Sequence, residues 1–483
     1  MKRRQLLHTV ATAAAALAAT TTPALRARAN PGPAAASEVP AATPLIAALQ
    51  ARLQHQGVGL VAAVVDGKQV VFAAAGRRHL ASETAPHADT LFEIGSITKT
   101  FTALLLADSV QRRELALDDP VEDALGGARL RDSTGAPITW ADLATHRSGL
   151  PRLPTNMKPA AAADPYADYS LDALRSFVAD WRPEVPRDSR WVYSNLGYGL
   201  LGQALALRSG LSYARMLRER VLQPLQLDSM VLATPGLRVE GLASGHDAQR
   251  RAVPHWHFDA MAPAGALLGS ARALARYAQA ALGLVDTPLQ AAFTLALTPR
   301  ATGGTTATGM GLGWMFGPLP GVPSRRGAVH DGATFGFASS LILDPQHPQR
   351  PRAALVLANA QMSVQDLALH ALDPATPPRD LAAETRRIQS QTQRPAASVD
   401  AIELTALAGT YALSPQFKVT VRVRDGRLFS QATGQGEFEL FALDARRWFA
   451  RVATLELHFE GSSGAPPAFV LLQAGQRLRF VRE

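Results

Sequence analysis

A change of sequence pattern at Pro374–Pro378 divides the chain into two parts of different fold class. Before it, apolar runs of strand length and of helix length are interspersed, which predicts an α/β domain over residues 44–373. Residues 374–400 are polar and bounded by proline, as is typical of a linker. From residue 401 to 483, short alternating stretches recur between turn residues, which predicts a small antiparallel β-domain, a barrel or a sandwich. At 483 residues, the chain is long enough to form both cores.

Strand patterns stand at both ends of the α/β domain. Two apolar runs flank Asp66-Gly67, a hairpin signal, and the later runs Ala328–His330, Ala338–Leu343 and Ala353–Leu357 read as further strands. A helix is expected from Pro44 to about Gln54, and most other helical patterns lie between the two groups of strands. We therefore expect one antiparallel sheet, completed by both ends of the domain, with helices packed on it.

Residues 1–29 have the pattern of an export signal peptide. A basic start precedes an alanine-rich apolar run, and Ala27-Arg28-Ala29 resembles a cleavage site. Arg3-Arg4 fits a twin-arginine signal as well as an ordinary secretory signal, so both routes stay open. Residues 30–43 read as a Pro/Ala-rich linker. The apolar run is too short to span a membrane, so we expect a periplasmic or secreted protein without a transmembrane segment after cleavage.

Charge and cysteine content exclude several classes of function. The formal net charge is +9, but five of these charges fall within the first 29 residues, which contain no acidic residue. No basic stripe with interleaved aromatic residues is present, so we expect no nucleic-acid partner. The chain has no cysteine, which excludes disulfides and thiol chemistry.

The first candidate for chemistry is Ser96-Ile97-Thr98-Lys99, at the start of a segment with helical apolar spacing. Residues three apart on a helix lie on one face, so the serine hydroxyl and the lysine amine can meet. A serine becomes a nucleophile when a base takes its proton, and an amine can be that base if burial lowers its pKa. The backbone N–H of Ser96, at the helix start, could form half of an oxyanion hole.

Two further motifs could complete such a site. Among the seven tyrosines, only Tyr193 has an asparagine two residues later, Asn195. A phenol whose pKa is lowered beside an ammonium can exchange a proton with Ser96, and the amide can orient a substrate carbonyl. The other motif is His330-Asp331-Gly332-Ala333 on a predicted strand edge. We expect His330 to supply a proton donor or a positive charge, and the N–H of Ala333 to complete the oxyanion hole.

Together and in this order, Ser96-x-x-Lys99, Tyr193-x-Asn195 and His330-x-Gly332 resemble the penicillin-recognising serine hydrolases. This group includes class C β-lactamases and related DD-peptidases and esterases. The resemblance covers about residues 44–360 and implies a cleft between a helical region and a helix-flanked antiparallel sheet. It also implies that Ser96 is acylated, that Lys99 and Tyr193 transfer protons, and that Asn195 contacts substrate. The final domain resembles the lipocalin-like β-domains sometimes appended to these hydrolases.

The resemblance implies a hydrolase acting on β-lactams or D-Ala-D-Ala-type peptidoglycan ends, without a cofactor. His330 stands where class C β-lactamases have the lysine of a Lys-Thr-Gly motif, which this chain lacks. The histidine form looks more like certain DD-peptidases and D-amino-acid peptidases. An esterase or D-aminopeptidase acting on small compounds is one alternative, and a non-catalytic penicillin- or cell-wall-binding module is another. The sequence does not indicate an oligomeric state.

One other motif resembles a metal site. His255-Trp256-His257-Phe258-Asp259 is similar to the H-x-H-x-D of zinc-dependent β-lactamases, but Ala260 occupies the place of the following histidine. Zinc needs at least three well-placed ligands. We therefore expect no metal here and interpret the segment as a surface or cleft-side loop.

Overall fold

The computed structural model describes residues 42–125, 128–301, 309–319, 322–414, 417–432, 437–452, 455–473 and 476–483. The predicted export signal lies outside these residues. Contacts divide the chain into one unit that ends at Pro378 and another that begins at Arg379. Within the described ranges, no helix is both long enough and apolar enough to cross a membrane.

An antiparallel seven-stranded sheet with the order β2-β1-β12-β11-β10-β9-β8 runs through the first unit. Strand β1 pairs with β12, Leu60 lying opposite Ala358, so both ends of the domain complete the sheet, as predicted. The sheet strands are β1 (Gly59–Asp66), β2 (Gln69–Gly76), β8 (Gly309–Met310), β9 (Met315–Leu319), β10 (Val322–Ala333), β11 (Ala338–Asp344) and β12 (Arg352–Ala358). Two small sheets contain β3 (Phe92–Glu93), β4 (Val231–Leu232), β5 (Gly245–His246), β6 (Ala252–Val253) and β7 (Leu267–Gly269).

Helices cover both faces of the large sheet. Of these, α8 (Ala271–Ala281), α1 (Ala42–His55) and α10 (Gln365–Leu372) contact its strands. The other helices described in this unit are α2 (Thr98–Gln111), α3 (Trp140–Ala144), α4 (Leu171–Asp180), α5 (Asn195–Ser209), α6 (Tyr213–Leu217), α7 (Ala262–Gly265) and α9 (Gln290–Ala296). Alternate residues of β1 point to opposite faces, so Val61 and Val65 join the larger core while Leu60 and Ala62 join the smaller one. Helix α8 packs on the larger core, and α1 and α10 cover the smaller.

Helix α2 is buried on all sides. Its residues from Thr98 to Ser109 are buried, including Lys99, and helices α5, α7 and α9 pack around it. The Phe101 ring stacks on Tyr277 with the ring centroids 4.0 Å apart. The sequence predicts an amphipathic helix here, but the polar residues among the apolar ones are enclosed too. A lysine on such a helix is removed from water.

The second unit is a closed antiparallel barrel, which confirms the predicted small all-β domain. Its strands are β13 (Gly409–Ser414), β14 (Phe417–Arg424), β15 (Arg427–Ala432), β16 (Phe438–Ala442), β17 (Arg447–Ala450), β18 (Leu455–Phe459), β19 (Ala468–Gln473) and β20 (Gln476–Arg482), and β13 pairs with β20 to close the barrel. Tyr411, Phe469 and Phe480 are fully buried in its core. Two helices precede the strands, α11 (Leu381–Thr392) inside the predicted linker and α12 (Ala401–Ala406).

Candidate active site

Ser96 and Lys99 lie together at the start of α2. Residues Gly95–Ile97 form a 3-10 turn that continues into the helix, so Lys99 follows Ser96 by one turn. The lysine Nζ lies 2.9 Å from the Oγ of Ser96 and donates a hydrogen bond to the carbonyl of Ala264 at 2.6 Å. The local sequence sets the first contact, whereas helix α7 provides the second.

Burial lowers the pKa of Lys99 well below the usual lysine value, and the positive charge of Arg152 lowers it further. The Lys99 side chain is fully buried, its Nζ 4.9 Å from the centroid of the Tyr193 ring and 5.7 Å from that of Tyr198. Desolvation disfavours the ammonium form. The amine can therefore be neutral near Ser96, in which case the serine hydroxyl donates the hydrogen bond and the amine accepts it.

Tyr193 lies at the end of the loop that leads into α5, and its phenol is hydrogen-bonded to the Ser96 hydroxyl. Burial raises the pKa of this phenol, although the bond to Ser96 and the charge of Arg152 act in the opposite direction. The sequence-based expectation of a lowered pKa is therefore wrong, because burial outweighs the hydrogen bond to Ser96 and the charge of Arg152. A phenol in this state keeps its proton and can donate it, but it is not ionised before the reaction and so cannot act as a phenolate base.

Asn195 is the first residue of α5, and the residue before it, Ser194, caps that helix by accepting from the N–H of Gly197. The Nδ2 of Asn195 donates to the Tyr166 hydroxyl at 3.1 Å. Its Oδ1 is buried and has no partner among the described residues. This oxygen, next to the candidate nucleophile, is available to accept a hydrogen bond from a substrate N–H.

Strand β10 carries Ala333 to Gly95. Thr334 donates its N–H to Phe337 across the β10–β11 hairpin, so the adjoining Ala333–Ala338 pair is a non-hydrogen-bonded one and the Ala333 N–H points away from β11. The opposite edge of β10 pairs with β9 only as far as Val329. A methyl group added to Gly95 would lie 2.7 Å from the Ala333 nitrogen. The backbone of Ala333 thus lies against the residue that precedes Ser96.

Of the two roles expected of His330, a proton donor or a positive charge, the structure does not support the positive charge. The side chain is 1% exposed, and its Nδ1 lies 2.8 Å from the Asp331 carbonyl, to which a protonated Nδ1 donates. Burial and the nearby Lys99 lower the pKa of His330 to about 3. The imidazole is therefore neutral near pH 7, and its buried Nε2 has no partner among the described residues. The pattern of residue types could not indicate how deeply this strand is enclosed.

A small cavity of about 20 Å³ lies over Ser96. Its lining residues are Gly95, Ser96, Tyr166, Asn195, Trp256, Phe258, Ala264, Gly265, Ala333 and Thr334. The segment that resembles a zinc motif thus contributes two aromatic walls to the cleft. The Nδ1 atoms of its histidines contact different carboxylates, His255 with Glu93 at 2.8 Å and His257 with Asp164 at 2.7 Å. The described residues contain no group of three or more side chains that could hold a metal ion.

Sequence reasoning missed three contributors to this site: Tyr166, the Ala264 carbonyl and Arg152. The guanidinium carbon of Arg152 lies 5.2 Å from the centroid of the Tyr193 ring. The stretch Ala144-Thr145-His146-Arg147-Ser148-Gly149-Leu150-Pro151 also resembles the penicillin-recognising serine hydrolases. Arg152 directly follows it, so its position in the chain was the one available signal. Nothing local to Tyr166 or Ala264 marks either residue, because only the fold brings them to Ser96.

Known proteins resemble this chain in both sequence and fold. The family model described as Beta-lactamase matches residues 42–373. The D-alanyl-D-alanine-carboxypeptidase/endopeptidase AmpH of Escherichia coli (strain K12) is 32% identical over 169 residues, which are 35% of this chain and 43% of that protein. The chain therefore aligns with less than half the length of that relative. Penicillin-binding protein 4 of Amycolatopsis lactamdurans is 30% identical over 321 residues, 61% of this chain and 79% of that protein.

Solved structures extend the likeness. A class C beta lactamase from Rhodobacter sphaeroides superposes with a TM-score of 0.59 at 26% identity, covering 70% of this chain and 99% of that one. An octameric penicillin-binding protein homologue from Pyrococcus abyssi superposes with a TM-score of 0.62 at 22% identity, covering 90% of this chain and 98% of that one. At this identity the second likeness concerns the fold alone.

Proposed function

The chain belongs to the Beta-lactamase family, and on that premise we propose that it is a serine acyl hydrolase working through an acyl-enzyme at Ser96. One observation carries the proposal. A fully buried lysine, Lys99, has its amine 2.9 Å from the Ser96 hydroxyl, and burial favours the neutral form of that amine. A neutral amine at hydrogen-bond distance is the base that a serine nucleophile requires.

In the proposed acylation, Lys99 takes the proton of Ser96 as Oγ forms a bond to the substrate carbonyl carbon. The N–H groups of Ser96 and Ala333 stabilise the oxyanion. When the bond to the leaving group breaks, the Tyr193 phenol gives its proton to the departing nitrogen or oxygen. The proton held by Lys99 then restores the phenol, so the proton count balances. Asn195 accepts a hydrogen bond from the acyl part of the substrate and keeps the carbonyl aligned.

Deacylation reverses these roles. A water molecule attacks the acyl carbon, the same two N–H groups bind the oxyanion, and the water's proton passes through Lys99 and Tyr193 to the leaving Oγ of Ser96. Microscopic reversibility assigns one set of groups to both half-reactions. The rate of this second step distinguishes a hydrolase that turns over from a protein that penicillin traps.

For the substrate we propose D-Ala-D-Ala-type peptide ends or β-lactams. The support comes from relatives named as a D-alanyl-D-alanine-carboxypeptidase, a penicillin-binding protein and a class C beta lactamase. Esterase activity on small neutral acyl compounds is a second candidate, because the neutral His330 offers no cation to an acidic substrate.

Incubation with benzylpenicillin tests the proposal. We expect intact-mass analysis to show an adduct of one penicillin on the wild-type protein and none on Ser96→Ala, which loses a single oxygen at a helix start. Release of penicilloate then measures turnover, and release of D-alanine from a D-Ala-D-Ala peptide measures carboxypeptidase activity. An adduct that persists in Ser96→Ala would refute the assignment of the nucleophile.

Export remains part of the proposal. Residues 1–29 supply the basic start, the apolar run and the Ala27-Arg28-Ala29 site. A mature amino terminus at Asn30, found by sequencing protein recovered from the periplasm or the medium, is the expected result. Retention of Met1–Ala29 on active protein inside the cell would contradict it.

A further inference from the structure

His330 does not supply a cation to the cleft. His330 is buried and neutral, and the amine of Lys99 is already engaged with the Ser96 hydroxyl and the Ala264 carbonyl. Neither side chain can present a positive charge to an acidic group on a substrate. A carboxypeptidase substrate nevertheless ends in a free carboxylate, so such a group would require a different partner.

Arg152 is placed to be that partner. Its carbonyl accepts the N–H groups of Asn195 at 3.0 Å and Leu196 at 3.2 Å, which fixes its backbone against the start of α5. From there its guanidinium carbon reaches to 5.2 Å from the centre of the Tyr193 ring. The side chain is exposed, and the described residues give it neither a hydrogen bond nor an ion pair. The Arg152 guanidinium is therefore a cation held near Tyr193 whose N–H donors have no partner among the described residues.

The charge of Arg152 already acts on the groups around Ser96. After burial, it is a cause of the lowered pKa of Lys99, and it opposes the raised pKa of both Tyr193 and Tyr166. All three side chains border the Ser96 hydroxyl or the cavity above it. An anionic substrate group placed to meet this guanidinium would therefore lie beside the reacting atoms.

We propose that Arg152 is a specificity-determining residue that binds a carboxylate of the substrate, an inference that rests on the proposed acyl hydrolase function. A guanidinium presents paired N–H donors that match a carboxylate in a bidentate geometry. Its contact with the Tyr193 ring limits the orientations available to it, so less entropy is lost when the anion binds. The preferred substrates are then acyl donors with a carboxylate near the scissile bond.

Two esters of phenylacetylglycine test this inference, one with 3-hydroxybenzoic acid and one with phenol as leaving group. They share the acyl part and differ by one carboxylate. The measured quantity is the ratio of their kcat/KM values, corrected for their rates of hydrolysis in buffer. A charged hydrogen-bonded contact of this kind corresponds to a preference of about 10- to 100-fold for the acidic ester. We expect Arg152→Gln to remove most of this preference and Arg152→Lys to keep part of it.

Arg175→Gln is the matched control. Arg175 is an exposed arginine on α4 that pairs with Asp172, so this change removes the same charge away from the cleft and should keep the wild-type ratio. The inference would be overturned if Arg152→Gln left the ratio unchanged, which includes the case in which both kcat/KM values fall equally. If the wild-type protein hydrolyses neither ester and takes no acyl group at Ser96, the proposed function itself fails. The two failures are therefore distinguishable.

Discussion

The amine of Lys99 lies 2.9 Å from the hydroxyl oxygen of Ser96, on a helix that is buried from Thr98 to Ser109. Burying an amine favours its neutral form, and the neutral form is the one able to accept the serine proton. The burial that prepares the base therefore also lowers the free energy of unfolding, because the amine holds a proton in the unfolded chain that it tends to lose in the folded chain.

Lys99→Met should slow acylation strongly and also change how stability depends on pH. Methionine keeps an unbranched side chain of similar size, and loss of the general base should slow acylation by about 10²- to 10⁴-fold or more. The unfolded pKa is near 10.5 and the folded value is lower, so between them the unfolded state binds more protons. In that window wild-type stability falls as pH decreases, and the methionine variant lacks this contribution.

Urea unfolding of both proteins at a series of pH values measures the effect. The free energy of unfolding of Lys99→Met, minus that of the wild type, should grow steadily as pH falls below 10.5 and level off at the folded pKa of Lys99. Taking the difference between two otherwise identical chains cancels the other titrating groups. A difference that does not vary with pH would mean that Lys99 keeps its ordinary pKa and is not prepared as a base.

Lys99 and Tyr193 should behave as one proton-transfer unit. Tyr193→Phe removes only the hydroxyl that bonds Ser96, and we expect it to slow acylation by about 10²- to 10⁴-fold. Because the two groups handle the same proton, the double variant should be little slower than the worse single variant. Single-turnover acylation followed by intact mass gives the four rate constants.

A second tyrosine near the same lysine provides the control. The Tyr198 ring lies 5.7 Å from the Lys99 Nζ, but its hydroxyl donates to the Ala144 carbonyl and not to Ser96. Tyr198→Phe should lower the melting temperature without a loss of acylation like that of Tyr193→Phe. Losses that multiply in the Lys99 and Tyr193 double variant would instead assign independent roles to the two residues.

Sequence alone predicted the parts of this protein that depend on near neighbours in the chain. The contact between Ser96 and Lys99 follows from helical spacing, and the first hairpin follows from Asp66-Gly67, where Gly67 adopts a φ of +60°. The barrel strands were visible because their apolar residues alternate with a period of two. The polar residues 379–400 read as a linker with a short helical patch, and the helix α11 lies there.

Burial was the main quantity that the sequence could not supply. It reverses the pKa direction expected for Tyr193 and removes the charge expected on His330. It depends on how segments far apart in the chain pack, and no local pattern encodes that. The same holds for Arg152, whose approach to Tyr193 joins positions 41 residues apart.

Gly332 should be intolerant of any side chain. A Cβ there would lie 2.0 Å from the Ile94 carbonyl oxygen and 2.4 Å from the Ser339 Oγ, so Gly332→Ala must push β10 away from the Ser96 turn. We expect a loss of about 1–3 kcal/mol in the free energy of unfolding and slower acylation, because the Ala333 N–H moves with the strand. Thermal melting and single-turnover acylation report the two effects.

Gly309→Ala is the corresponding change at a strand glycine with room for a methyl group. Its added Cβ would have the side chain of Pro299 as its nearest neighbour, at 3.5 Å, an ordinary contact. This variant should acylate at the wild-type rate. If Gly332→Ala melts and reacts like Gly309→Ala, the close approach of β10 to Ile94 is not what holds the oxyanion site together.

The β-barrel should be separable from the chemistry. The last core residue of the first unit is Leu372, and the first core residue of the barrel is Leu404, so each unit has an apolar core of its own. All proposed catalytic and binding residues precede residue 334. A chain truncated after Pro378 should therefore fold and take up penicillin at Ser96 at the full-length rate. Residues 379–483, whose described strands pair into a closed barrel, should fold alone.

Three measurements decide this prediction. Circular dichroism with cooperative melting establishes whether each fragment folds, intact mass gives the acylation rate of the truncated chain, and Ser96→Ala in the truncated chain shows that labelling is specific. A truncated chain that melts cooperatively but fails to label would show that the barrel contributes to the active site. If it labels with penicillin but no longer processes a large peptidoglycan fragment, the barrel acts on access or binding of large substrates, because the Ser96 chemistry would then be intact.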